Sequence, residues 1–315
     1  MPLVSIIIVA FNSQKYIGLC LQSIIKHCVD FDYEIIVVDN NSSDKIVELI
    51  KTKFSQVKLI ENQENFGFSR ANNQGARKAR GKYIFFINPD VALTESIYQM
   101  IKYFDKKAGF GAVAPLAISS DEKFFWGGRE HPTVWYEFCE EIGLARKFKK
   151  SRLYNRYHLN YKQKHLIKKA PSVSGGNLLI KRTVFNLIGG WDREFFLYGE
   201  DVDLCLRLEK HHREVWFYPA IKVIHYGGKS SRTVPAELIF LEAHKSMYYF
   251  FDKHFGRQRA ELYRLVMLIV WAAKILWRLI LFSKVKKARR LNAINLFSFR
   301  CFIRRSCAMK RGFNV

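Results

Sequence analysis

The sequence has no Cys-x-x-Cys pair. Its six cysteines, at positions 20, 28, 139, 205, 301 and 307, are scattered, and none has a histidine at zinc-ligand spacing. That excludes a disulfide scaffold or zinc framework and predicts reduced thiols, as in a cytosolic protein. A secretory leader is not expected either, because Met1-Pro2-Leu3-Val4-Ser5 lacks a basic n-region and the apolar run ends at Phe11-Asn12 with no small-residue cleavage site. A spanning helix needs about 20 apolar residues. The run Leu265 to Ala273 has nine before Lys274 and Arg278 interrupt its continuation to Phe282. Signatures for Ser/His/Asp or Cys/His nucleophilic catalysis are missing, as are helix-turn-helix, zinc-finger and aromatic RNA-binding patterns. Acidic residues are scarce in two blocks of a chain whose net charge is +24. From Lys253 to Val315 sixteen Lys/Arg face Glu261 alone, and ten lie between Arg146 and Lys169 with no acid. Such blocks suit an anionic surface: nucleic acid, phospholipid or a polyphosphate substrate.

What is present is material for a large core. The 315 residues are 49% hydrophobic and 15% aromatic, which excludes a disordered chain and allows one large domain with an appendage. Val4 to Phe11 reads as a strand apolar on both faces, the pattern of a central parallel strand. Asn12-Ser13 can cap a following helix bearing Tyr16, Leu19, Leu21, Ile24 and Ile25. Tyr33 to Val38, Val57 to Ile60 and Lys82 to Ile87 repeat the strand pattern, with helical spacing between, so a parallel α/β sheet is expected with ligands at the carboxyl ends of its strands.

Polar residues gather at those ends: Asp39, Asn41 and Ser42 after one strand, Asn88 and Asp90 after another. Between them runs Asn65-Phe66-Gly67-Phe68, where Gly67 permits close backbone approach and the next helix offers free N–H groups. Asp, Asn and Gly are also ordinary turn formers, so each cluster alone says little; three at successive strand ends say more. Further on, Phe195-Phe196-Leu197-Tyr198-Gly199 precedes Glu200-Asp201-Val202-Asp203 and a leucine-rich helix. Acids in a first helical turn answer the dipole, while a carboxylate pressed on those aromatics would lose water, gain pKa and suit proton abstraction. Glu200 and Asp203 share a face and Asp201 points elsewhere.

Together Ser5 to Asn12, Val37 to Asp44, Glu64 to Phe68 with Ala71-Asn72, Phe86 to Asp90, and Gly189-Gly190-Trp191-Asp192 leading to Glu200-Asp201-Val202-Asp203 resemble the family 2 glycosyltransferases, most closely the rhamnosyltransferase-like branch. The resemblance covers about residues 3–232. It implies a GT-A fold, a Rossmann-like and mostly parallel sheet flanked by helices. It makes Asp201 the catalytic base. Phe11 and Asp39 would hold the donor's base, Asn65 and Asn72 the nucleoside region, and Gly176 and Asn177 the acceptor side, with Asn41, Gly67, Asn88, Trp191 and Glu200 also on the substrate. Asp90 and His225 would hold a divalent metal, Mg²⁺ or Mn²⁺, against the diphosphate. The usual Asp-x-Asp begins here with Asn88, a weaker ligand for a hard cation. Lys229 and Arg232 are placed to neutralise the leaving diphosphate.

Leu116 to Lys169 shows no periodicity and reads as an irregular basic insertion, with Trp126-Gly127-Gly128, over the cleft. Val215 to Tyr218 and Lys222 to Ile224 read as two short strands. In the tail, Arg264, Trp271, Lys274 and Arg278 fall on one helical face with apolar residues elsewhere, and Lys284, Lys286, Lys287, Arg289, Arg290, Arg300, Arg304, Arg305, Lys310 and Arg311 follow. That predicts an amphipathic basic helix lying on an anionic leaflet. The expected division is residues 1–235 as the GT-A domain, 1–115 taking the nucleotide sugar and 116–235 the acceptor, and 236–315 as a membrane-associating tail. The expected activity is inverting transfer, rhamnose favoured, from a dTDP- or UDP-linked donor to a lipid-linked or glycan acceptor at the cytoplasmic face of the inner membrane. A nucleic-acid-binding protein and a sugar nucleotidyltransferase are the competing readings; the second would carry a Gly-rich basic loop where Ala10-Phe11-Asn12-Ser13 stands.

Overall fold

The computed structural model describes residues 1–120, 124–126, 128–157, 166–227, 235–282 and 302, with backbone alone for 124–126, 278, 281 and 282. In chain order the elements are β1 (Val4–Ala10), α1 (Gln14–His27), β2 (Tyr33–Asp39), α2 (Ile46–Lys53), β3 (Lys58–Glu61), α3 (Gly67–Lys78) and β4 (Tyr83–Ile87). Then come β5 (Val91–Leu93), α4 (Tyr98–Asp105), β6 (Phe110–Ile118), β7 (Phe124–Trp126), α5 (Val134–Glu141), α6 (Leu144–Lys147), β8 (Lys168–Lys169) and β9 (Asn177–Lys181). The chain closes with α7 (Arg182–Leu187), α8 (Glu200–Lys210), β10 (Glu214–His225), α9 (Ala236–Phe255) and α10 (Arg257–Phe282).

It forms two compact units. The first, Met1–His131, Asn160–Phe196 and Glu200–Thr233, holds the sheet. Its strand order is β3-β2-β1-β4-β9-β6-β10-β5, with β7 on β6 and β8 on β10. β3, β2, β1 and β4 are mutually parallel, β9 runs antiparallel to both β4 and β6, and β6 is parallel to β10, so the main strands share one direction. The apolar run of β1 from Ile6 to Ala10 is explained by burial on both faces. Ile6 and Ile8 join α1, α2 and α4 in one core cluster, and Ile7 joins α7 and α8 in the other. Glu34 ties β2 to its neighbours, accepting from Ser5 Oγ and Lys58 Nζ at 2.7 and 2.6 Å.

Three local expectations need correction. Ser13 occupies the N-cap position of α1 without a side-chain cap bond, and Asp44 Oδ2 takes the Gln14 N–H at 2.8 Å. The two strands expected between Val215 and Ile224 are the single strand β10, whose register shift between Tyr218 and Lys222 hid its continuity. The insertion is not irregular throughout: Thr133 caps α5, its Oγ1 accepting the Tyr136 N–H at 3.2 Å.

The second unit, Pro132–Leu159, Leu197–Gly199 and Val234–Val315, is helical among its described residues. α10 packs along α9 and against α5. Between them His244 Nδ1 lies 2.5 Å from the Tyr263 hydroxyl, and burial pushes the His244 pKa down to about 4. Lys274 is ion-paired with Glu141.

Candidate active site

All the candidate site residues lie in the sheet unit, and their positions follow from how its strands end. Asp39 closes β2, nearly buried, with Oδ1 accepting from Ser42 Oγ at 2.5 Å and Oδ2 from the Ser42 N–H at 3.1 Å. Ser42 Oγ in turn accepts the Asn12 N–H at 2.9 Å, and Asn12 Oδ1 accepts the Ser43 N–H at 2.8 Å. The loops after β1 and β2 are thereby tied together, with Phe11 half-buried beside them and Asn41 exposed in a left-handed conformation, φ 63°. Behind them a buried amide chain passes unnoticed in the sequence. Asn62 Nδ2 donates to Asn40 Oδ1 and Gln74 Oε1, and Asn40 Nδ2 donates to the Gly67 carbonyl at 3.1 Å.

Gly67 sits at φ +76°, where an added Cβ would lie 2.5 Å from the Phe196 carbonyl oxygen. The N–H groups expected free at the start of α3 are already engaged: Asn65 Oδ1 takes that of Gly67 at 2.9 Å, and Phe196 O takes that of Phe68 at 2.8 Å. Asn72 is buried, its Nδ2 donating to Phe68 O at 3.0 Å within its own helix.

After β4, the Asn88 N–H donates to Gly176 O at 2.8 Å, and a Cβ at Gly176 would meet Asn88 Nδ2 at 2.5 Å. Asp90 then precedes β5, whose antiparallel register sets Val91 opposite His225 at the end of β10. That register brings His225 Nε2 to 3.3 Å from Asp90 Oδ1, with both side chains largely buried. Two ligands at right angles on one octahedral Mg²⁺ lie about 3 Å apart, so a carboxylate oxygen and an imidazole nitrogen at this spacing fit a shared divalent cation. Among the described residues no group of three or more His, Cys, Asp or Glu is placed to hold a metal. Lys229 and Arg232, with Gly127 and the Trp126 side chain, lie outside the described residues.

The acidic motif starts α8, and its three carboxyls meet three environments. Asp203 is fully buried and accepts from Arg207 Nε at 2.8 Å, while Arg207 Nη1 donates to Ile188 O at 2.6 Å. Its role is structural. Glu200 is buried, and Oε2 has no hydrogen-bond partner among the described residues. Burial first, then the negative charge of Asp201, pushes its pKa up to about 8. The desolvated carboxyl anticipated from the aromatic run is thus Glu200. Of that run Phe195 and Phe196 are buried and Tyr198 is exposed.

Asp201 Oδ1 accepts its neighbour Val202 N–H at 2.9 Å, and Oδ2 accepts from Arg129 Nη2 at 2.9 Å with both side chains about one-seventh exposed. Arg129 is held by a two-way backbone bridge to Ser172, 2.8 and 3.0 Å. Nothing singled Arg129 out beforehand, since it stands 72 positions before the carboxylate it touches. Trp191 is 1% exposed and packs edge-on to Phe68 and Phe86, a core side chain rather than an open platform. A Cβ on Gly175 would lie 2.8 Å from the Trp191 ring and 3.3 Å from Asp201 Cβ. The Gly175-Gly176 turn therefore runs between Asp201 and Asn88. Asn177 follows it into β9, buried opposite Ile87, with Oδ1 lacking a partner among the described residues.

The family model described as Glycosyl transferase family 2 matches residues 5–188, more than half of the chain. The chain belongs to glycosyltransferase family 2. A second model, Glycosyl transferase family group 2, matches residues 131–302. The chain is 27% identical over 244 residues to the N-acetylglucosaminyl-diphospho-decaprenol L-rhamnosyltransferase of Mycobacterium tuberculosis (strain CDC 1551 / Oshkosh), covering 72% of this chain and 78% of that one. It is 26% identical to the rhamnosyltransferase WbbL of Escherichia coli (strain K12), over 73% and 86% of the two chains. In fold it is similar to the mannosyltransferase PcManGT from Pyrobaculum calidifontis, solved with GDP-Man and Mn²⁺, at TM-score 0.58 and 14% identity, covering 98% of this chain and 88% of that one. GalNAc-T7, solved with UDP, GalNAc and Mn²⁺, aligns at TM-score 0.55 and 16% identity over 98% and 57%. The sheet unit of this family 2 glycosyltransferase has the GT-A fold, and the basic composition that left nucleic acid open belongs to a glycosyltransferase.

Proposed function

We propose that this glycosyltransferase moves a sugar, rhamnose favoured, from a nucleoside diphosphate donor to a hydroxyl of a lipid-linked or polysaccharide acceptor, with inversion, in bacterial cell-surface glycan assembly. The rhamnosyltransferase relatives support the sugar and the lipid-linked acceptor; a dTDP- or UDP-linked donor suits Asp39, which can accept the imide N–H of either base. One observation carries the reading: in one unit Asp201 and Asn88 flank the Gly175-Gly176 turn, and two residues after Asn88, past the carboxyl end of β4, Asp90 meets His225 at the end of β10.

Asp201 takes the proton of the acceptor hydroxyl as that oxygen attacks the anomeric carbon. The bond from that carbon to the diphosphate oxygen breaks, and its electron pair leaves with the diphosphate. One displacement needs one base and no protein nucleophile, which is the reason for inversion. Arg129 positions the Asp201 carboxylate. Asp90 and His225, with Asn88 beside them, are the residues that would hold Mg²⁺ or Mn²⁺, which when bound supplies positive charge to the departing diphosphate. Residues 1–115 take the donor, 116–235 the acceptor, and 236–315 hold the protein peripherally at the cytoplasmic face of the membrane. No helix among the described residues is long and apolar enough to cross one.

Asp201→Asn keeps shape and removes the base. Transfer should fall by about 10²–10⁴-fold while donor affinity stays within a factor of two. Equal losses in donor binding and turnover would refute the base assignment.

A further inference from the structure

Between Leu262 and Ile280, α10 has two unlike faces. Tyr263, Met267 and Trp271 are fully buried within their own unit, and Phe302 packs edge-on to Trp271 at 5.1 Å on that side. The cations share this face: Arg264 Nη1 is 2.8 Å from Glu261 Oε2, and Lys274 is ion-paired with Glu141. The opposite side carries Leu265, Ile269, Leu276, Trp277, Leu279 and Ile280, each 55–70% exposed. Among the described side chains exposed from Leu262 to Ile280, none is polar or charged. Of the four residues that the sequence puts on one helical face, Arg264, Trp271 and Lys274 turn toward their own unit, and the Arg278 side chain lies outside the described residues. A surface helix in water has the opposite pattern, and a stripe of this kind about 27 Å long marks an interface.

We propose that this outer face of α10 lies in the plane of a bilayer rich in anionic lipid, its apolar stripe sunk among the acyl chains. The proposal rests on the peripheral-membrane part of the function above and names the surface that performs it. Charge complementarity selects lipid as the occupant. Exposed Arg257 and Arg259 open the helix, and in sequence Lys284, Lys286, Lys287, Arg289 and Arg290 come after it, a composition that complements headgroup phosphates. A second copy would press two strongly basic segments together, sixteen Lys/Arg against one acid in each.

The test uses the full chain, phosphatidylcholine vesicles with and without phosphatidylglycerol, and the triple variant Ile269→Glu/Leu276→Glu/Ile280→Glu, whose positions are exposed. Wild type should sediment with the anionic vesicles, and the variant's partitioning should fall at least about a hundredfold with nucleotide-sugar binding unchanged. Brominated lipid should quench wild type more than Trp277→Phe. Undiminished vesicle binding by the triple variant overturns the proposal. So does a wild-type dimer that the variant converts to monomer without loss of vesicle binding, which would make a second copy the occupant. Donor binding absent from both proteins, with vesicle binding still following the stripe, supports the docking face and counts against the transfer reading alone.

Discussion

Glu200 and Asp201 are adjacent carboxyls in unlike surroundings, one buried with no partner for Oε2 among the described residues and one held by Arg129. The contrast has a pH signature. Glu200 has an ordinary pKa of 4.5 unfolded and about 8 folded. Between those values the native state holds a proton that the unfolded state releases, so stability falls as pH rises from 4.5 to about 8 and levels off above. Glu200→Gln abolishes that titration. Its Tm relative to wild type should climb through the same window and then stay flat; a pH-independent difference would show that Glu200 ionises normally. The sequence located this acidic cluster and the aromatics ahead of it. It could not say which acid is desolvated, because that is decided by Arg129, brought in from a distant segment by its bridge to Ser172.

At the scale of elements, strands with alternation or continuous apolar runs were legible, as β1, β2 and β4 are. The start of α1 after Asn12-Ser13 was legible too, although not the bond its first N–H makes to Asp44 in the next loop; the tie between the start of α3 and Phe196 was not legible. Gly67 is where that remote dependence is sharpest. Gly67→Ala must place a Cβ 2.5 Å from a backbone oxygen at φ +76°, so it should destabilise by about 1–3 kcal/mol and weaken donor binding together. Gly189→Ala, at φ +79° with open space around it, is the control for backbone strain alone and should lose less in thermal unfolding. Equal losses would mean that the approach of Phe196 to α3 is soft. The inward turn of Lys274 has the same origin, since Glu141 lies 133 positions before it and no helical wheel of α10 contains it.

For the whole molecule, charge and pattern divide the labour. The sheet unit supplies strand ends lined with Asp39, Asn88, Asp90 and His225, and the helical unit supplies an exposed apolar face on α10. The order of motifs along the chain was enough to name the family. It was not enough to show Trp191 as a core side chain or Asn72 as bonded within its helix, because burial is a property of the assembled fold. The central claim is that this architecture binds a nucleoside diphosphate sugar through a divalent cation at Asp90 and His225. Calorimetric titration of the purified chain with a panel of nucleotide sugars, with and without Mg²⁺ or Mn²⁺, tests it most directly. The account predicts saturable, metal-dependent binding of one thymidine or uridine diphosphate sugar, rhamnose foremost. No binding to any member, beside tight salt-sensitive binding to nucleic acid, would contradict it.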